Sequence, residues 1–186
     1  MSKEYLDIVD EKGNLTGEKE LRSVCHEKGL WHRTVHIYCY RFANNELEFI
    51  VHLRAKNKQQ NPDKWTTRFG GHVESGHTLE ETVTKELFEE AGIKAESKNM
   101  ISGIRRIFDG FADYSDPQKN REITQAYYYN YDKPVETLEF NDGEVQEAKW
   151  MSVKEIKKEI STKDNWVPTI HGVESIVNDL LSKITR

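Results

Sequence analysis

Cysteine is scarce in this chain: Cys25 and Cys39 are the two thiols in 186 residues. They make neither a disulfide framework nor a CxxC pair, and no neighbouring residue would lower a thiol pKa, so both are expected as buried structural residues in a reducing, cytoplasmic setting. Glycine and proline are also few (11 and 4), which excludes a low-complexity chain. No apolar run approaches a membrane span, and the opening MSKEYLDIVDEKG lacks the apolar core of a signal peptide, so no membrane partner is expected. Positive charge is not in excess: 27 Lys+Arg against 32 Asp+Glu leave a net −5. A nucleic-acid coat or a polybasic membrane binder would need a cationic face, and both are excluded. A small phosphorylated ligand bound through metal ions remains compatible.

What is present points to one folded unit. The length suits a single domain spanning 1–186, and 4 Trp, 8 Tyr and 7 Phe argue against disorder despite a mean hydropathy of −0.80. Residues 5–9 read as a strand closed by the turn Asp10–Asn14. Residues 34–41 and 47–54 alternate apolar and polar around Ala43-Asn44-Asn45, the pattern of a β-hairpin. On that alternation His36 and His52 fall on a half-exposed strand face. Further strands are expected at 99–108, 122–131 and 145–151, and helices at 152–160 and 170–185. Strands mixed with three helices fit an α/β sandwich.

The helix expected over 78–91 carries the chemistry. Thr78-Leu79-Glu80-Glu81 is a capping box, Gly92 a stop, and Leu79, Val83, Leu87 and Ala91 an apolar stripe. Glu86, Glu89 and Glu90, spaced i, i+3 and i+4, share one helix face. Three like charges so placed repel one another unless a cation sits among them. Hard oxygen ligands suit Mg²⁺ or Mn²⁺, and Gly70-Gly71 just upstream lets backbone approach closely. A plain solvated acidic helix is the competing reading of the same spacing.

The stretch Gly71–Ile93 resembles the Nudix box: Gly71, Glu86, Leu87, Glu89, Glu90, Gly92 and Ile93 stand at its fixed places. The resemblance implies an α/β/α sandwich with a mixed β-sheet and Mg²⁺- or Mn²⁺-dependent hydrolysis of a diphosphate linkage in a small molecule. Dimers are common in the family, so a homodimer is anticipated. It further implies metal ligation by Gly70, Glu86, Glu89 and Glu90, with Glu86 and Glu90 also catalytic. Glu144, on the segment 141–150 that resembles the family's late strand, is implied as a further ligand or base, with Glu147 as the alternative. Arg54 and Arg68 are placed to pair with substrate phosphate. Trp65 and Phe69 are candidates to flank a base or prenyl chain, or to serve packing.

Two box positions depart. His77 replaces the first Glu and Lys85 the Arg, residues that in the family brace the loop onto the helix, so a weakened brace is expected. Over Tyr5–Trp150 the chain is also similar to the isopentenyl-diphosphate isomerase branch, through YLDIVDEKGN, Gly29–His36 and Gly70-Gly71-His72. That likeness makes residues 1–30 an N-terminal extension. It also puts His32 and His72 beside the pocket as substrate-binding residues, with His26, His32 and His72 at places where isomerases hold a metal. The isomerase's catalytic cysteine is replaced by Gly70, which favours a hydrolase over an isomerase. A non-catalytic sensor of a nucleotide-like ligand is the third reading, suggested by His77 and Lys85. Specificity is assigned to the loops 55–64 and 109–121.

Overall fold

The computed structural model describes residues 3–58, 60–110, 120–140 and 143–185. β1 (Tyr5–Val9) and β2 (Leu15–Leu21) pair antiparallel about the Asp10 turn, where one Asp10 oxygen accepts the N–H groups of Lys12 and Asn14 at 2.9 and 2.8 Å. α1 (Arg22–Lys28) follows at once and ends on Gly29 at φ 62°. β2 and α1 go beyond the sequence expectations. β2 is exposed along most of its length and α1 buries only Cys25, so neither carries an apolar period to read.

β3 (His32–Ala43) and β4 (Glu46–Arg54) form the expected hairpin, turned by Asn44 and Asn45 at φ 52° and 62°. The two strands are paired over Tyr40–Ala43 and Glu46–Phe49. Beyond that they part, and residues 65–73 fill the wedge between them. β5 (Trp65–Thr66) runs along His52 and Leu53 of β4. The chain then crosses to β3, where Val35 donates to the Gly71 carbonyl at 2.9 Å and Ile37 to that of Phe69 at 2.8 Å. Gly70 and Gly71 thus sit at the fork where the strands diverge.

α2 (Leu79–Ala91) starts on the expected capping box, Thr78 with Glu81, and stops on Gly92 at φ 69°. β6 (Met100–Asp109) and β7 (Arg121–Asn130) form an antiparallel pair, and β7 runs parallel to β3. β8 (Val145–Ser152) pairs antiparallel with β4, and α3 (Val153–Thr162) and α4 (Ile170–Ile184) end the chain. The strand order is β5-β4-β3-β7-β6 with β8 on β4, a mixed sheet.

Helices cover both faces. Val35, Ile37 and Cys39 pack against Val83, Leu87 and Ala91 of α2, all wholly buried. Truncating Leu87 to alanine would cost about 2–5 kcal/mol through lost burial and the cavity left behind. On the other face Tyr38, Tyr40 and Tyr128 pack under Ile156 of α3 and Val173, Ile176 and Leu180 of α4. The β1–β2–α1 unit keeps its own small core of Leu6, Ile8 and Cys25. It is clamped to the box loop by Asp7, which accepts the Ser75 hydroxyl at 2.7 Å and the Gly76 N–H at 3.1 Å. Among the described residues no helix is long and apolar enough to cross a membrane. Most of the loop expected at 109–121, Gln59 of the loop 55–64, and Asn141-Asp142 of the late segment lie outside the described residues.

Candidate active site

The fork opens into a cleft of about 730 Å³. Its walls are made by α2, by the 66–74 segment and by the ends of β3, β4 and β7. Of the sequence candidates, Gly70, Glu86, Glu89, Glu90, Glu144, Arg54, Arg68 and His72 all line it. His32 lies buried just behind, and Glu147 is exposed elsewhere.

The box carboxylates are held against backbone. Glu90 is buried and one of its oxygens accepts the Gly70 N–H at 2.8 Å. Glu86 lies on Gly71 so closely that a Cβ there would meet its carboxylate oxygen at 2.6 Å. Burial, reinforced by Glu89, pushes the Glu86 carboxyl up to about 7. Burial raises Glu90 well above the carboxylate range as well, against the Gly70 hydrogen bond and with Glu86 and Glu144 adding repulsion. Acids crowded and desolvated in this way fit a site that a divalent cation neutralises. Glu89 stands at the exposed rim, 4.0 Å from Lys85.

Cations face these acids across the cleft. Arg54 is fixed by two hydrogen bonds to the Gln60 carbonyl at 3.3 and 3.1 Å. Lys58 forms an ion pair with Glu144, whose strand start is tied to β4 by Ala55 donating to the Glu144 carbonyl at 2.8 Å. Arg22, from α1, and Arg68 complete the basic side.

At the far end of the cleft the structure gathers a set of which only the histidines were legible in the sequence. Among the described residues, His26, His32, His72 and Glu122 bring four ligand-type atoms within 4.8 Å of one another. Nε2 of His26 and of His72 are 3.2 Å apart, and the three imidazole centroids are 5.2 Å apart pairwise. His32 is fully buried, with Nδ1 bonded to the Leu30 carbonyl at 2.8 Å. Its Nε2 has no hydrogen-bond partner and faces Glu122 at 4.0 Å. An orphaned, desolvated imidazole nitrogen beside two more imidazoles and a carboxylate fits a metal ion. Desolvation holds His32 below, and His72 well below, the usual histidine range, so both are neutral and ligand-competent at pH 7. His72 lines the cleft, where the sequence expectation put it as a substrate-binding residue, and a neutral imidazole there offers a lone pair rather than a charge. Glu122 opens the alternation Glu122, Thr124, Ala126, Tyr128 along β7, a signal present in the sequence, but its approach to His32 is set by the parallel β3–β7 register.

Other expectations change. His52 is buried and driven by burial down to about 3, because the core residue Phe69 stacks on it at 4.5 Å and covers the face expected to be half open. Phe69 belongs to the core and Trp65 stacks on Trp166 at 6.1 Å, so packing is the role of both. Both thiols are buried, and burial pushes Cys25 up to about 11. The brace between loop and helix is not lost: Lys85 forms an ion pair with Glu74, a residue the sequence did not single out.

Gly70 bears on the isomerase reading. Its φ is 138°, and an added Cβ would lie 2.0 Å from the Val35 carbonyl oxygen. This backbone has no room for a thiol-bearing residue there.

The NUDIX domain model matches residues 31–170. An uncharacterised Nudix hydrolase of Clostridium acetobutylicum is 30% identical over 178 residues, 96% of this chain and 82% of that protein. An isopentenyl-diphosphate Delta-isomerase of Aliivibrio fischeri is 28% identical over 174 residues, 90% of this chain and 93% of that one. Among solved structures, a Deinococcus radiodurans protein superposes with a TM-score of 0.64 at 20% identity, covering 93% of this chain and 99% of that one. The NUDIX domain of Shewanella oneidensis NrtR, solved with ADP ribose, gives 0.56 at 12% identity, covering 82% and 87%. With a family match across most of its length and a relative at that identity, the chain belongs to the Nudix hydrolase family.

Proposed function

We propose that this protein hydrolyses a diphosphate linkage in a nucleoside-diphosphate-type small molecule, with Mg²⁺ or Mn²⁺ as cofactor, in the cytoplasm. The observation that carries the reading is the pairing of Glu86 and Glu90 with Gly71 and Gly70 opposite Arg54 and Arg68. Glu86, Glu89, Glu90 and the Gly70 carbonyl would hold the box cation, and His26, His32, His72 and Glu122 a second one. Bound cations neutralise the diphosphate and lower the pKa of an attacking water.

The chain's own groups supply the rest. Arg54, Arg68 and Lys58 draw the diphosphate into the cleft and align it for in-line attack. Glu86, held against Gly71 in the wall of the cleft, is placed to orient the attacking water. Glu144 keeps Lys58 in place and lies beside Glu90, ready to share that task. The Gly70–Glu90 hydrogen bond fixes the acid against the fork.

Release of phosphate or nucleotide from a diphosphate panel, with Mg²⁺ and Mn²⁺, tests this. Glu90→Gln should lower kcat by about 10²-fold or more, as loss of a ligand or base does. Metal-independent turnover, or an unaffected Glu90→Gln protein, would overturn the reading. The isomerase-like relative makes interconversion of prenyl diphosphates the control, expected to be silent because Gly70 offers no acid–base group.

A further inference from the structure

A second, smaller cavity of about 210 Å³ adjoins the cleft, between the sheet and the start of α4. Arg68 and Val167 line both spaces and form the wall the two share. Arg106 of β6 enters from the opposite side, and its guanidinium lies over the first turn of α4, where a Cβ at Gly172 would meet Nη2 at 3.9 Å. Both guanidiniums are half-buried, and among the described residues neither makes a side-chain hydrogen bond or ion pair.

The surroundings add no negative charge. His36, which lines the main cleft and not this cavity, has a buried Nδ1 with no partner, and burial together with Arg68 and Arg106 drives it well below the usual histidine range. The remaining walls are Tyr38, Thr67, Thr169 and apolar groups. α4 points its N-terminus here, with Thr169 as its cap accepting the Gly172 N–H at 3.0 Å. Two half-buried guanidiniums beside a helix N-terminus repel one another, and an anion between them would relieve that repulsion. The main cleft already supplies Arg54 and Lys58 for the scissile diphosphate, so the second concavity is redundant for that group.

We propose that the Arg68–Arg106 cavity is a subsite for a second oxyanion of the substrate, a phosphomonoester or a carboxylate carried on the moiety remote from the scissile diphosphate. The proposal rests on the hydrolase reading of the main cleft and narrows its substrate class. It disfavours a prenyl chain, whose apolar tail would have to cover two arginines.

The test uses three alkyl diphosphates differing only at the far end: hydroxyl, carboxylate or phosphate, each in a ladder of chain lengths, with Mg²⁺-loaded protein. The wild type should favour one or both charged ends over the hydroxyl by about tenfold or more in kcat/KM, the worth of a charge-assisted bidentate contact. Which end is preferred identifies the oxyanion. In Arg106→Gln the preference should fall to within about twofold, while Arg106→Lys should keep part of it, since a point charge remains. Equal kcat/KM for all ends in the wild type, or a preference that survives Arg106→Gln with an unchanged melting temperature, would overturn the subsite. If none of these compounds is turned over, the hydrolase reading still stands or falls on the diphosphate panel above. Calorimetric binding of the same three compounds to wild type and Arg106→Gln then decides the subsite by the same two criteria.

Discussion

Lys85 of α2 is ion-paired with Glu74 of the preceding loop, so the brace that the box usually builds from a Glu and an Arg is rebuilt here from a different acid. Glu74 holds the Lys85 ammonium above its ordinary range, first through their hydrogen bond, and Lys85 holds Glu74 below its own. Both side chains are more than a third exposed, so solvent screening keeps the pair's contribution to stability within about 1 kcal/mol. Its value is positional: it fixes the Gly71–Gly76 loop, whose Gly71 lies against the Glu86 carboxylate. Glu74→Gln should therefore weaken Mg²⁺ binding several-fold while moving the melting temperature little. His77→Glu should change either by less than about twofold, because Lys85 already has its partner. Titration of metal-stripped protein by calorimetry checks both, and rescue by the swapped pair Glu74→Lys with Lys85→Glu would confirm the contact.

Glu86 makes metal binding pH-dependent. Burial pushes its carboxyl up to about 7, above the ordinary glutamate value of 4.5, so between those two values the folded metal-free protein binds a proton that the unfolded chain releases. Its contribution to stability is therefore complete below about 4.5 and is lost as pH rises toward 7. A divalent cation competes for the same carboxylate and must displace the proton. Mg²⁺ affinity should thus rise by up to about tenfold per pH unit below neutrality and level off above it. Melting curves with and without Mg²⁺ at intervals from pH 5.5 to 8.5 would show a growing stabilisation, and Glu86→Gln should flatten that growth.

The helix with its chemistry was readable in advance because its signals are local. Thr78 with Glu81, the stop at Gly92 and the i, i+3, i+4 acids all lie within a few turns of one another. Glu74, Glu122 and Arg106 were not readable as site residues, because their roles depend on partners reached through the fold. Glu122 meets His32 only through the parallel β3–β7 register, and Arg106 meets Arg68 only across the sheet and α4. His52 shows the limit of alternation: the period gives its face, but Phe69, brought there by the chain crossing from β5 to β3, decides that the face is covered. The polar strand β2 offered no period at all.

Gly70 should be the least replaceable residue of the fork. At φ 138° with the Val35 carbonyl oxygen 2.0 Å from any Cβ, a side chain forces β3 and the 69–72 segment apart. Gly70→Ala should cost at least about 2 kcal/mol in urea unfolding, the scale of a strained backbone position with a steric clash. Gly70→Cys should be destabilised as well and should gain no isomerase activity, since the thiol would arrive only with a displaced strand. A stable Gly70→Cys protein with the metal affinity of the wild type would show that the fork is softer than its geometry implies.

The histidine set should hold its ion independently of the box. His32 and His72 are neutral, His32 Nε2 is unpartnered, and Glu122 is oriented by the Asn120 amide donating to it at 2.6 Å. Imidazole-rich sites prefer Mn²⁺, Zn²⁺ or similar ions, whereas an all-carboxylate site is suited to Mg²⁺. Metal-stripped protein titrated with Mn²⁺ should therefore show two classes of site. His72→Ala should abolish one and leave the box site's Mg²⁺ affinity within about threefold, because the two sets share no ligand; Glu90→Gln should do the reverse. A single class in the wild type would assign the imidazole cluster to packing. Loss of both classes in either variant would mean that the two ions are bound as one coupled centre across the cleft.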